Sequence, residues 1–137
     1  RYHLFARKKP VHDLLDEIAP DVVEGSSTWR GAWIARSWRG AAARALFLHQ
    51  DPVAVYPQSF LSPALKADRV DQLFAGFWRY LAKLSSGFDV TIAPSAVFAR
   101  RLERRGVARP VACPLGVDRA LFRPDRRSGA LRLKMLA

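Results

Sequence analysis

The alternation of short apolar runs with longer amphipathic runs constrains this chain more than any other feature. Runs typical of buried strands occupy residues 21–24, 44–49, 88–93 and 110–113, and residues 3–5 favour the end of an earlier strand. Runs with helical spacing lie between them, over residues 10–18, 29–38, 64–84 and 95–105. Strands and helices that alternate at this spacing form βαβ units. The sequence therefore predicts an α/β fold with an open, parallel, Rossmann-like sheet and helices on both faces.

Two segments lie outside this alternation. Residues 53–63 follow Pro52 and contain further prolines, which predicts a long ordered loop. Residues 123–129 have the composition of a charged linker, and residues 131–137 either open another strand or form a ragged end. We therefore expect a partial domain over residues 1–124, then a linker and the start of a further domain over residues 125–137. The chain begins with Arg rather than Met, which fits a start within a longer gene product.

The charge balance is strongly basic, with 23 Lys and Arg against 12 Asp and Glu and a net charge of +11. Such a surface attracts nucleic acid, anionic lipid headgroups or sugar phosphates. A proteome-wide bias toward Arg and Ala explains the same numbers, so both explanations stay open. The four arginines within residues 100–105 predict a solvated helix face, or alternatively a contact with an anionic membrane.

Cysteine usage and hydropathy exclude several architectures. The single Cys113 rules out an internal disulfide and a zinc cluster, and fits a reducing compartment. No apolar run approaches the ~20 residues that a membrane span needs. The sequence has no glycine-rich dinucleotide motif, no Walker P-loop, no nucleophile elbow and no paired-histidine zinc motif. Dehydrogenase, nucleophilic hydrolase and metalloprotease functions therefore lose support.

Ligands of open parallel sheets bind beyond the carboxyl ends of the strands, and this rule selects candidate site residues. The residues that follow the predicted strands are, in order, Glu24, Gly25 and Ser26; His49, Gln50 and Asp51; Ser95; and Gly116 and Asp118. A crevice with a histidine, carboxylates, hydroxyls and helix N-termini suits a polyol or a phosphate.

Each candidate has a structural alternative. Ser26 and Ser95 are also ordinary helix caps. Gly25 fits a tight turn, and Asp51 fits the turn chemistry expected before a proline. His49, at the end of an apolar strand, fits a core histidine bonded to a backbone carbonyl. The four tryptophans at helical spacing predict packing rather than a stacking surface.

The last third of the chain carries a more specific pattern. Residues 88–95 read FDVTIAPS and are followed by Phe98, Leu102 and Gly106; residues 110–118 read PVACPLGVD, and residues 121–124 read LFRP. This pattern resembles the end of the N-terminal domain in family-four retaining glycosyltransferases of the GT-B type. Leu115 stands where those enzymes usually have Asn. With residues 20–24 and 46–49 as the preceding strands, the resemblance covers residues 10–124.

The resemblance implies a retaining, metal-independent transferase with no cofactor other than a nucleotide-sugar co-substrate. The N-terminal half of such enzymes mainly holds the acceptor, here a glycan or a lipid-linked molecule. By resemblance His49 positions the transferred sugar or the acceptor, and Gly116 and Asp118 shape the interdomain hinge. Glu24, Gly25, Ser26, Gln50, Asp51 and Ser95 are then expected to contact the acceptor or the sugar.

The resemblance also implies missing parts. The family's opening strand with its glycine-rich loop is expected before residue 1, and the donor-binding half after residue 137. We therefore expect this chain alone to be inactive, because neither nucleotide nor leaving-group phosphate is held. The expected location is the cytoplasm, with peripheral contact to the inner face of the membrane.

A second function of a different class stays open. The same charge and fold suit a basic flavodoxin-like module that binds nucleic acid or an acidic partner without catalysis. No RNP, helix-turn-helix or zinc-finger pattern supports nucleic acid. A contiguous downstream domain in the gene favours the transferase, whereas a stop near residue 137 favours the binding module.

Overall fold

Four short strands form one parallel sheet in the computed structural model, which describes residues 7–61 and 63–136. The strands are β1 (Val22–Gly25), β2 (Ala43–Phe47), β3 (Val90–Ala93) and β4 (Pro110–Ala112), and they lie side by side in chain order. All four coincide with predicted strands to within two residues at each end. The predicted strand at residues 3–5 lies outside the described residues. The predicted α/β class and the open parallel sheet are confirmed.

Helices connect and follow the strands. In the described part of the chain they are α1 (Lys8–Ile18), α2 (Arg30–Ser37), α3 (Ser59–Leu61), α4 (Ala67–Leu73), α5 (Ala75–Ser85), α6 (Ala96–Arg104) and α7 (Gly129–Leu136). None of the helices described is long and apolar enough to cross a membrane.

The core lies between one face of the sheet and helices α2, α5 and α6. On that face Gly25, Leu46 and Thr91 are neighbours in register, and Leu46 and Thr91 are fully buried. The helices bury their apolar stripes against it, with Ala32 and Ala35 from α2, Trp78, Leu81 and Leu84 from α5, and Phe98 and Leu102 from α6. The opposite face of the sheet is more exposed to solvent, since Val22 and Val111 there are 61% and 51% exposed.

The segment after β2 is helical, so the predicted loop over residues 53–63 is wrong for most of its length. Residues 52–61 form one helical stretch in which Ala54–Gln58 has the wider π-type turn. Pro52 occupies the first turn, where a missing N–H breaks no hydrogen bond. The π-type turn spans Pro57, which cannot donate to a regular helix. The prolines at positions 52 and 57 therefore lie within a helix that has an altered turn, and not within a loop.

The predicted long helix over residues 64–84 is divided into α4 and α5. The break is a single residue, Phe74, whose backbone (φ −94°, ψ 19°) leaves the helical region. Leu73, the last residue of α4, is 68% exposed, whereas Val70 of α4 and Leu81 and Leu84 of α5 are buried. The buried stripe of the predicted helix is therefore interrupted at the junction of α4 and α5.

The end of the described chain is helical rather than extended. Pro124–Arg126 forms one 3₁₀ turn, and α7 covers most of the stretch for which a strand or a ragged end was predicted. Leu, Arg, Lys and Met are good helix formers, which accounts for α7. The domain boundary at residue 124 stays a prediction.

Candidate functional site

A cavity of about 470 Å³ opens at the carboxyl ends of β1 and β2. One wall is the loop of residues 26–29 after β1, and another is the segment from Phe47 to Pro57 that ends β2 and begins the following helix. The third wall comes from Phe74 and Phe77, at the junction of α4 and α5. The cavity therefore lies where an open parallel sheet binds its ligands.

His49 lies at this cavity with its side chain exposed. It follows Phe47 by two residues, so the two side chains share one face of the strand, and their ring centroids are 4.1 Å apart. The alternative of a buried core histidine is therefore excluded. An imidazole in this position can donate or accept a hydrogen bond toward a molecule in the cavity.

The loop after β1 is fixed by hydrogen bonds from several directions. Ser26 donates to the carboxylate of Glu24, and Ser27 Oγ accepts from the backbone N–H of Trp29 at 3.0 Å. The hydroxyl of Tyr80 donates to the backbone oxygen of Thr28. Ser26 lines the cavity, whereas Glu24 lies outside its lining.

Gly25 has a packing role. A Cβ atom added there would lie 3.2 Å from the Cβ of Ala32 and 3.3 Å from Cε1 of Phe88. These contacts are tighter than ordinary van der Waals packing. The glycine therefore allows α2 to approach β1, and this accounts for its presence without any ligand.

Asp51 and Gln50, both predicted to be site residues, differ in their surroundings. Asp51 Oδ1 accepts from the backbone N–H groups of Val53 and Ala54, both at 2.9 Å, and so caps the helical stretch that begins at Pro52. Gln50 lines the cavity, and its side-chain nitrogen lies 3.2 Å from the hydroxyl of Tyr56. Asp51 therefore supports the cavity wall, and Gln50 forms part of it.

A buried ionic cluster lies behind the wall. The carboxylate of Asp71, 1% exposed, accepts from Arg101 at 2.8 Å, from Arg105 at 2.5 Å and from Gln58 at 3.2 Å. Both guanidinium groups also lie over the ring of Trp78, at 5.3 and 5.7 Å from its centroid. The prediction of a solvated arginine face is therefore wrong for these two arginines.

The remaining predicted residues lie outside the cavity lining. Ser95 is the N-cap of α6, where its hydroxyl accepts from the backbone N–H of Phe98 at 3.1 Å. Asp118 Oδ1 accepts from the backbone N–H of Ala120 at 2.8 Å and forms a local turn, and Gly116 is exposed nearby in sequence. Of the predicted site residues, the cavity brings together Ser26, His49 and Gln50.

Trp29 departs from the packing role predicted for the tryptophans. It is 66% exposed at the cavity, whereas Trp38 and Trp78 are buried. Trp33 packs against the core and donates from its indole nitrogen to the hydroxyl of Tyr80 at 2.8 Å. Trp29 lies three residues after Ser26, the last predicted site residue of that loop, and this proximity is the one sequence signal that distinguishes it from the other tryptophans.

Comparison of this chain with models of protein families, with curated proteins and with solved structures finds no match.

Proposed function

We propose that this chain is the acceptor-side domain of a retaining glycosyltransferase that moves a sugar from a nucleotide-sugar donor to a hydroxyl acceptor. It works together with a donor-binding domain expected downstream. His49 positions the transferred sugar or the accepting hydroxyl, and Ser26 and Gln50 line the same cavity. No metal takes part in this scheme.

The position of His49 is the observation that carries the proposal. Its imidazole is exposed at the mouth of a cavity at the carboxyl ends of β1 and β2. The cavity volume of about 470 Å³ falls within the range of ~300–1,000 Å³ that small-molecule sites occupy. The resemblance of residues 88–124 to the end of a glycosyltransferase N-terminal domain supplies the reaction class.

The alternative of a basic binding module rests on the net charge and on the fold class. Two of the guanidinium groups, those of Arg101 and Arg105, are used in pairing with the buried Asp71. Guanidinium groups that pair with a buried carboxylate are not available to bind a polyanion from solution. A pre-formed cavity with a histidine at its mouth favours the transferase.

The test uses a longer protein that joins this chain to the expected donor-binding domain, together with a panel of radiolabelled nucleotide sugars and hydroxyl acceptors. Transfer from at least one donor, with retention of the anomeric configuration, is expected. The 137-residue chain assayed in parallel should transfer none, because the proposal assigns donor binding to a separate domain. Inversion of configuration, absence of transfer across the panel, or transfer by the short chain alone would contradict the proposal.

A further inference from the structure

The composition of the cavity lining contrasts with the net charge of +11 that the chain carries. Among the described residues that line it, none is Lys, Arg, Asp or Glu. A phosphate or carboxylate placed against this lining would gain no ion pair with a Lys or Arg side chain of the lining. The lining therefore favours a ligand part that carries no charge.

Aromatic rings from three segments line the cavity: Trp29, then Phe47 and Tyr56, then Phe74 and Phe77. Trp29 and Tyr56 are 66% and 56% exposed. The ring of Trp29 is 6.4 Å from that of Phe77, and the two planes are inclined by 51°. Rings in such tilted pairs present faces and edges that suit another flat ring, and burying an apolar ring there removes exposed aromatic surface from water.

Polar groups lie on two sides of the cavity, with Ser26, Ser27 and Thr28 in the loop after β1 and with His49 and Gln50 next to β2. The side chains of Ser26 and Ser27 already hydrogen-bond to Glu24 and to the backbone N–H of Trp29, and Gln50 is held toward the hydroxyl of Tyr56. A ligand on the aromatic side can therefore form a new hydrogen bond with His49 if it carries a hydrogen-bonding group there. A hydroxyl meets this requirement without adding charge.

We propose that the cavity binds a neutral molecule built on a flat apolar ring system, with a hydroxyl directed toward His49. Its role as acceptor rests on the proposed function, but its binding does not. The ring system lies against Trp29 and Phe77, and the hydroxyl lies at the mouth where a sugar would be delivered. A bare oligosaccharide or a ligand that places a phosphate in the cavity fits these walls poorly.

The test titrates three probes into the isotopically labelled chain at physiological salt and follows the indole N–H signal of Trp29 by NMR. The probes are 2-naphthol, 2-naphthyl phosphate and methyl glucoside: a neutral ring with a hydroxyl, the same ring with a charged phosphate in place of the hydroxyl, and a neutral polyol without the flat ring. Saturable shifts with 2-naphthol are expected. The two other probes should bind at least about tenfold more weakly, since one adds charge and the other lacks the ring.

Substitutions locate the binding. Trp29→Ala should raise the Kd for 2-naphthol by about five- to tenfold, through the loss of one stacked ring, with binding followed at the His49 ring signals. Phe122→Ala is the matched control, because Phe122 is 68% exposed and lies outside the lining. It should leave the Kd unchanged.

Three results would overturn the inference: tighter binding of the phosphate, equal binding of methyl glucoside, or an equal effect of both substitutions. Sugar transfer by the longer protein without naphthol binding would show an acceptor of another class. Binding of 2-naphthol without sugar transfer would support the ligand class and contradict the proposed function.

Discussion

Arg101 Nε lies 2.6 Å from a carboxylate oxygen of Asp51, across the boundary between α6 and the segment that follows β2. The same guanidinium group reaches Asp71 through Nη2 at 2.8 Å. One arginine thus ties the residues beside His49 to α4 and α6. The cavity wall is held from behind by an ion-pair network rather than by apolar packing alone.

Asp71 is the residue on which this network depends most. Removing its buried carboxylate by Asp71→Ala leaves Arg105 without that partner, whereas Arg101 keeps its contact with Asp51. Loss of one partner of a buried hydrogen bond typically costs ~1–3 kcal/mol. We expect the free energy of unfolding to fall by about that amount, measured by urea denaturation.

Asp68→Ala is the matched control for this change. Asp68 lies in the first turn of the same helix, α4, and is exposed. Its loss should cost less than ~1 kcal/mol, as for other exposed helix charges. Equal destabilisation by the two substitutions would show that the ionic cluster contributes little.

Two glycines should respond to alanine with opposite signs. Gly25→Ala forces a methyl group against Ala32 and Phe88, and overpacking of this kind costs ~1–3 kcal/mol. Gly31→Ala places a methyl group in open space within α2 and should stabilise the fold by up to ~1 kcal/mol. Thermal unfolding of both variants checks this. A Tm for Gly25→Ala at or above that of the unsubstituted chain would refute the close approach of α2 to β1.

The exposed arginines of α6 should bind an anionic membrane. Arg100 and Arg104 are exposed, in contrast to the paired arginines of the same helix. We expect co-sedimentation with phosphatidylglycerol vesicles, but not with phosphatidylcholine vesicles, and a loss of binding as salt rises.

Replacement of both Arg100 and Arg104 by Gln should weaken this binding. The same replacement at Arg126 and Arg127, also exposed, removes equal charge from another part of the chain and should weaken it less. Equal effects would mean that binding follows net charge. Equal sedimentation with both vesicle types would exclude an electrostatic membrane contact.

Local patterns in the sequence were sufficient for the sheet and for parts of the site. The strands were predictable because short apolar runs are bounded by breakers, and Ser95 because an N-cap is a local feature. The position of His49 followed from the rule that ligands bind beyond the carboxyl ends of parallel strands. Membership of the glycosyltransferase family stays a prediction.

What the sequence did not reveal depends on contacts between distant residues. Arg101 pairs with Asp51 and Asp71, which are far apart along the chain, so no local pattern separates it from its exposed neighbours. The helix that contains Pro57 was not predicted, because proline usually interrupts a helix. The cap that Asp51 provides at the start of this helix was also not recognised from the sequence. The aromatic rings that line the cavity come from three separate segments of the chain.

The most direct test of the proposed function is His49→Ala in the longer protein, with Tm and turnover measured on the same preparation. Because the side chain is exposed at the cavity mouth, its loss should leave Tm within a degree or two, as for surface substitutions that change stability by less than ~0.5 kcal/mol. Turnover should fall by about tenfold or more, as expected when a group that positions the reactants is removed. A fall in Tm by several degrees, with turnover of the folded fraction unchanged, would contradict the placement of His49 at a working site.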